Sequence, residues 1–431
     1  MDAALDLLGQ VGAGALSLLL SPFYYVGIIL MMLYYMRQTR MERAMFHVRL
    51  HAWPRELGRT IASGLLVGLL VSVAGLFLGI QITQEAVLWM WGMTVILAVF
   101  SVRYLCFAYS VGVLGVLQWI VGWTPLSDRG DWLGTVSTSL QALDIPGLLV
   151  LVAIMHLAEA LLVGWQGSRF ASPLFLEGKR GKLVGGYMLQ GYWPVPLMLL
   201  VPAAGSGTEA ALPWSTLLSG DSLGAGWMML SFPMMLGFTE LTRTMLPKEK
   251  ASEASRSLLY YGLLLGGLAI LAAYWTPFTL PAAIAAFVLH EAIVLMSVLR
   301  EERKSPFYVN APNGLRVLAV IPGTPAEAMG IAAGELLHKV NGRLVRTKEE
   351  LHAALHINSA FCKLEVINLA GHVKFLQRAR FANEHHQLGV VLAPDEHASA
   401  YVEPTPTSLI GLLRSRSAAR REARANTDVG A

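Results

Sequence analysis

The chain has 431 residues, of which 55% are hydrophobic and 14% charged. Soluble domains carry roughly a quarter charged residues, so most of this chain is not built for water. The net charge is only +4, and no clustered basic face with readout elements accompanies it, which argues against a nucleic-acid-binding role.

From Ala13 to Leu299 the apolar residues come in blocks of about 17–25, the length that crosses a hydrocarbon core as helix. Nine candidate spans follow in chain order: Ser17–Met36, Ile61–Ile80, Ala86–Val102, Tyr104–Trp123, Ile145–Trp165, Leu183–Ala203, Trp227–Met245, Leu258–Tyr274 and Leu280–Leu299. The fold expected is an α-helical polytopic membrane bundle of about eight or nine spans, followed after Arg300 by a soluble α+β domain. The first block has no basic segment before it and no small-residue cleavage site after it. It is expected to be a retained anchor rather than a cleaved signal peptide, with Ala3–Gly14 as a short interfacial stretch.

The connecting segments alternate in charge. Arg37, Arg40, Arg43, Arg49, Arg55 and Arg59 crowd the first connection; Arg169, Lys179, Arg180 and Lys182 fall in another, and Arg243, Lys248, Lys250 and Arg256 in a third. Between them, Gln81–Glu85, Thr124–Asp144, Ala204–Gly226 and Trp275–Thr279 are poor in Lys and Arg. Positive residues stay on the cytoplasmic side, which places the N-terminus outside and the C-terminus inside. Ala86–Trp123 is too long for one span and is interrupted only by Arg103. A tight turn at Arg103 keeps every later loop in agreement with that rule, whereas one long tilted helix does not, so two spans are expected there.

Polar side chains inside spans are costly and therefore informative. His156 and Glu159 lie three apart on one helical face, Glu240 and Arg243 repeat that spacing near the cytoplasmic end of the seventh span, and His290 and Glu291 fall mid-span. With Arg103 they form the expected intramembrane polar network. The chemistry would suit a proton or ion path or a metal site, or else hydrogen bonds that fix helix packing. With no inverted repeat and no matched pair of broken helices, the packing network is the reading taken, with no metal ligand and no cofactor assigned. Cys106 and Cys362 lie in different regions and suggest neither a disulfide nor a metal site.

After Ser305 the pattern changes to that of a small mixed domain. Pro312-Asn313-Gly314 is a turn, and Leu315–Ile321 an apolar strand. Gly323 to Gly330 frames a short helix starting near Pro325, and Gly334–Gly342 is a strand ending in an Asn-Gly turn. Thr347 and Glu350 have capping-box spacing ahead of Leu351 and Leu355. Lys363–Ile367 and His372–Gln377 alternate around Ala370-Gly371 as a hairpin, and Leu388–Leu392 is a last strand.

This order resembles the bacterial PDZ domain, whose G-x-P-A-x-x-x-G helix and following G-[DE]-x-[IL]-x-x-V-N-G strand are matched by Gly323–Gly330 and Gly334–Gly342. Glu335 stands where the family usually has Asp. The resemblance implies a groove that takes an extended peptide as an added strand. Its carboxylate loop would be Gln387-Leu388-Gly389-Val390 in a circularly permuted arrangement, with Leu351 and Leu355 as helix wall and His352 as a polar contact. Leu388 and Val390 read equally well as core strand residues.

The whole arrangement resembles the MinJ-type division-site determinants of Bacillus-like bacteria. Four strings carry the likeness: Ser21-Pro22-Phe23-Tyr24 ahead of the Arg-rich segment, His156-Leu157-Ala158-Glu159-Ala160, Phe361-Cys362-Lys363-Leu364-Glu365-Val366, and His385-His386-Gln387-Leu388-Gly389. That resemblance implies a non-enzymatic adaptor in the cell membrane, at septum or poles, linking a DivIVA-like polar scaffold to MinD, with room for a homo-oligomer. The divisions expected are 1–299 membrane domain, 300–306 linker, 307–394 PDZ-like domain and 395–431 basic tail. The tail, with Arg414, Arg416, Arg420, Arg421 and Arg424, is expected to be disordered and to meet anionic lipid.

Two alternatives come from other function classes. An intramembrane metalloprotease needs H-E-x-x-H, and His290-Glu291 is followed by Ala292-Ile293-Val294 without the second His. Gly205-Ser206-Gly207 has no evident His partner for serine chemistry. A transporter would use His156, Glu159, Glu240 and His290.

Overall fold

Apolar runs whose prolines fall only in the first turn, where a missing N–H costs nothing, make the helices of the first 170 residues. The structure is a computed structural model that describes residues 2–178, 181–202, 214–218, 227–358, 361–379 and 388–395. It contains α1 (Asp2–Leu20), α2 (Pro22–Phe46), α3 (Trp53–Leu78), α4 (Gln84–Phe100), α5 (Phe107–Gly122), α6 (Trp132–Gln141) and α7 (Ile145–Gln166). Two further long helices are α8 (Pro247–Tyr274) and α9 (Thr279–Arg303). The Gly205-Ser206-Gly207 segment, Lys179, Arg180, Gln387 and the Ser399–Ala431 tail lie outside the described residues.

The first expected span is bent by 53° at Ser21-Pro22 into α1 and α2. Ala86–Trp123 is divided as expected: α4 ends at Ser101, a short 3-10 turn carries Arg103, and α5 starts after Cys106. Among the described residues, four helices (α3, α7, α8 and α9) are long and apolar enough to cross a membrane, or five with the bent pair counted as one; α4 and α5 are shorter. The expected loop Thr124–Asp144 contains α6, whose N-terminus is capped by the Asp131 side chain on Gly134 N–H.

The sixth and seventh expected spans are not helices. Leu183–Pro202 and Trp227–Thr242 are strands β2 and β3, paired antiparallel over sixteen residues, with β1 (Ala171–Glu177) on the other side of the start of β2. Hydrophobicity was read correctly here and periodicity was not. Pro194, Pro196 and Pro233 each remove an N–H and would break a helix interior, and Gly185, Gly186, Gly191 and Gly237 weaken it further.

The prolines also resolve the edge problem that a sheet meets away from water. Pairing of Pro196 with Pro233 turns both residues' peptide groups away from the partner strand. Past Leu189 the outer edge of β2 has no strand beside it, and α3 takes that place. Along that edge Pro194 and Pro196 have no donor to satisfy, Met198 N–H donates to Ser72 Oγ of α3 at 2.9 Å, and Leu200 C=O accepts from Ile82 N–H at 3.1 Å. The outer edge of β3 is treated alike: Pro233 has no donor, and Met229 N–H donates to Gln10 of α1 at 3.4 Å. Helix and strand edge come this close because Gly64 and Gly68 face the Pro194 and Pro196 carbonyls, where a Cβ would collide.

The C-terminal unit is built as the sequence suggests. β4 (Leu315–Val320), α10 (Pro325–Ala328), β5 (Leu336–Val340), β6 (Arg343–Leu344), α11 (Lys348–His356), β7 (Phe361–Ile367), β8 (Val373–Ala379) and β9 (Val390–Leu392) follow in order. The sheet runs β8-β7-β5-β4-β9, with β6 folded back on β5. Asn341 (φ 50°) and Gly342 (φ 81°) make the tight turn, since both positions need the left-handed region. Thr347 caps α11 by accepting from Glu350 N–H, whereas the Glu350 carboxylate accepts from Arg346 N–H, one residue earlier than a capping box requires. Glu335 accepts from Ala332 N–H and pairs with Lys374 at 2.6 Å.

This unit is joined to the helix bundle by more than a tether. α9 continues through Arg303, so half of the segment 300–306 is helix. Tyr308 is fully buried, and its C=O accepts from Gly185 N–H of β2 at 2.9 Å. Tyr187 donates to Leu318 C=O, and Leu318, Ala319 and Val391 belong to the same apolar core as the bundle.

At the α2–α3 connection, Glu42 is buried and accepts from Leu50 N–H, His51 N–H, Ser172 Oγ and His51 Nδ1, the last at 2.6 Å. Burial alone would lower the His51 pKa, but the Glu42 hydrogen bond and charge, aided by Glu56, outweigh it and hold the imidazole above its ordinary value. The stabilisation is therefore full below about pH 6.5 and fades as pH rises through the elevated folded pKa.

Two measurements in detergent check these points. G64L or G68V should lose about 1–3 kcal/mol through overpacking and melt earlier, whereas G92A, at a position with nothing near its Cβ, should melt like the parent. Glu42→Gln should flatten the decline in melting temperature that the parent shows as pH rises above about 6.5; an unchanged slope would remove the His51–Glu42 pair as its cause.

Candidate functional site

Two places gather the side chains singled out by sequence, the edge of the C-terminal sheet and the interior of the helix bundle. At the sheet edge, Leu388 C=O accepts from Ala326 N–H at 3.0 Å and Gly389 C=O from Ile321 N–H at 2.9 Å, which ties this stretch to the α10 turn. Gly389 has φ +88°, and a Cβ there would collide with Thr324, so glycine is required twice over. Leu388, Leu351 and Leu355 are buried together in the unit's core; His352 is exposed.

β9 is the last strand of its sheet. Gly389 C=O bonds to Ile321, just past β4, and Ala393 N–H to Arg316 of β4, so strand alternation turns the peptide groups of Val390 and Leu392 to the opposite side. Among the described residues no strand lies there. An ion pair of 3.0 Å between Lys348 and Asp395 sets the start of α11 beside the end of β9. Next to it, Lys182, Arg243, Arg303, Lys304 and Asp395 line a cleft of about 970 Å³ between this unit and the bundle.

In the bundle the expected polar network is two separate clusters. The first hangs on the turn between α4 and α5. Arg103 pairs with Glu291 at 2.8 Å, and Tyr109 donates to the other oxygen of Glu291 at 2.8 Å. His290, next on α9 but about 100° round the helix, places Nδ1 3.0 Å from the Tyr109 hydroxyl. Its Nε2 lies 3.6 Å from Cys106 Sγ, and His156 Nε2 of α7 lies 3.3 Å from the same sulfur. Glu159, one turn beyond His156, is half-buried beside this cluster.

The second cluster corrects an expectation. Glu240 and Arg243 were placed on one helical face, but Glu240 is on strand β3 and Arg243 lies past its end. Spacing of three has no face in common on a strand. Glu240 accepts from Ser297 Oγ of α9 at 2.9 Å and pairs with Lys250 at 3.3 Å, while Arg243 gives its backbone N–H to Glu301 and its side chain to the basic cleft. Lys250, counted by sequence as a loop cation, is 1% exposed. It also donates to Ser297 at 2.7 Å and lies 3.6 Å from Glu301. Lys250, Glu301, Tyr109 and Cys106 were missed because each sits at a span end or looks ordinary alone; only the packing of α8 and α9 against β3, and of α5 against α7 and α9, gives them partners.

Residues 316–367 match the family model of the PDZ domain. The chain is 29% identical to the cell division topological determinant MinJ of Bacillus subtilis (strain 168), over 88% of this chain and 93% of the relative. It is 27% identical to the probable cell division topological determinant MinJ of Lacticaseibacillus paracasei, over 90% of this chain and the whole relative. No solved structure matches. The resemblance to MinJ-type determinants read from four short strings thus runs along nearly the whole chain. These relatives carry names of division determinants rather than of enzymes.

Lys250 offers a direct stability test. Lys250→Met leaves Glu240 and Glu301 without their shared cation and should cost about 3–5 kcal/mol. Adding Glu240→Gln should return part of it, and strictly additive losses in melting would show that the pair is not coupled.

Proposed function

We propose that this chain is a membrane-anchored adaptor of division-site selection, whose PDZ domain docks partner proteins on strand β9. The observation that carries this reading is the open edge of β9 beside α11. The Val390 and Leu392 peptide groups can pair with an added strand while Leu388 and Gly389 are held by the α10 turn, and a peptide captured this way gains backbone hydrogen bonds from a preformed edge. Likeness to proteins named as division determinants supplies the process. By that resemblance the partners are a DivIVA-like polar scaffold and MinD, and the site of action is septum or pole.

The proposed divisions are a membrane domain over 1–299, a connection over 300–306, the PDZ-like domain over 307–394 and a tail over 395–431 that meets anionic lipid. The proposed orientation has the N-terminus outside and the PDZ domain in the cytoplasm. Grouping of basic residues supports it: Lys182, Arg243, Arg303 and Lys304, from three connections, converge on one cleft at the PDZ end. The far end, where Leu218 N–H bonds Leu78 C=O and Tyr274 bonds Leu217 C=O, lacks such a group among the described residues. Replacement of two expected helical spans by a hairpin leaves this orientation unchanged, because β2 and β3 also go across and return.

A fluorescent fusion of the full chain should concentrate at septa or poles, and a photo-crosslinking residue at His352 should trap a division protein. Uniform membrane fluorescence for the full chain would overturn the division reading. Normal localisation after deletion of 305–394, together with no protein trapped from His352 in the full chain, would leave the PDZ groove without a docking role.

A further inference from the structure

We infer that Cys106, His156 and His290 form a metal site, of a class suited to zinc, at the centre of the bundle. The inference stands apart from the docking reading and rests on donor counting. His156 Nδ1 lies 2.8 Å from Val152 C=O, which can only accept, so this nitrogen carries the proton. His290 Nδ1 faces the Tyr109 hydroxyl at 3.0 Å, and that hydroxyl gives its own proton to the Glu291 carboxylate. His290 Nδ1 must therefore be a donor as well. In the neutral imidazoles both Nε2 atoms are left as lone pairs, and both point at one sulfur, at 3.3 and 3.6 Å.

A thiol has one proton and can satisfy one of these lone pairs. His156 is 4% exposed and His290 9%, so the second acceptor is left in a place where an unpaired polar group is costly. A cation bound between the three atoms satisfies all of them. The three donor atoms lie within 4.8 Å of one another. A tetrahedral zinc with a sulfur near 2.3 Å and nitrogens near 2.0–2.1 Å would hold sulfur and nitrogen about 3.5–3.6 Å apart, which the two sulfur–nitrogen distances nearly meet, and would draw the two nitrogens to about 3.3–3.4 Å.

The surroundings are those of a supported site. Each imidazole has its far nitrogen fixed by an oxygen, and behind His290 stands the chain Tyr109, Glu291 and Arg103, which sets ring orientation. Tyr261 packs edge-on against both rings, at 4.8 and 5.5 Å between centroids. Cys106 is the N-cap of α5, a position that would steady the thiolate once a metal has displaced its proton. Binding would release the thiol proton and change no oxidation state. Two histidines and one thiolate leave a fourth position to water, with the half-buried Glu159 one turn from His156.

The experiment uses the full chain in detergent, stripped with chelator and reloaded with Zn²⁺ or Co²⁺ alone. About one zinc per chain should be retained, and the Co²⁺ form should absorb through thiolate-to-metal charge transfer. Cys106→Ser and His290→Asn should each weaken zinc binding at least tenfold and Cys106→Ser should abolish the thiolate band, while Cys362→Ser should behave as the parent. A thiolate band in the parent supports the site even if a variant fails to fold. No band in the parent, or equal zinc retention by folded Cys106→Ser, overturns it; in that case a thiol donating to His156 Nε2 accounts for the geometry.

Discussion

Backbone N–H and C=O groups that leave water must find partners, and in this chain that requirement is hardest to meet along the outer edges of β2 and β3. A hairpin of this length surrounded by apolar helices would present rows of unpaired groups. The chain meets the requirement in three ways: prolines that have no N–H, Ser72 and Gln10 side chains that accept the N–H groups left over, and α1 and α3 pressed along the edges. Much of the remaining architecture follows. Gly64 and Gly68 are needed because α3 must lie directly on a strand edge, and the bend at Ser21-Pro22 sends α1 along β3 while α2 turns toward β1.

The second constraint is electrostatic. A charge in the bundle is tolerated where its counter-charge is supplied from another element, and both internal clusters are assembled that way. Lys250 comes from α8, Glu240 from β3 and Glu301 from α9. Arg103 comes from the turn between α4 and α5 and Glu291 from α9. Each cluster therefore acts as a lock on tertiary arrangement, fixing which helices are neighbours more than adding net stability.

Sequence reading recovered the C-terminal unit almost element by element, because its turns are spelled out locally by Asn341-Gly342, Thr347 and Gly371. It also found α3, α7, α8 and α9, and placed the break at Arg103. It failed at residues 183–242 because hydrophobicity alone does not distinguish helix from strand, and Pro194, Pro196 and Pro233 were given no weight against a helix. The same error put Glu240 and Arg243 on one face. His156, Glu159, His290 and Glu291 were rightly selected as unusual, but their partners Cys106 and Tyr109 lie in α5 or at its start, and no spacing in the chain announces a meeting of three helices. Of the proposed groove, Gly389 was legible as a special residue. What it serves, close approach to Thr324 under a positive φ, is visible only in three dimensions.

The bond between Gly185 and Tyr308 fastens the PDZ unit to the three-stranded sheet, so it is not a bead on a string. Val391 touches the bundle core while its neighbours Val390 and Leu392 turn their peptide groups to the open edge. A three-residue strand thus belongs at once to the open edge and to the bundle core. A partner strand seated on that edge and preferring one placement of Tyr308 and Val391 against the bundle would, by thermodynamic linkage, stabilise the matching state of the bundle by the same factor.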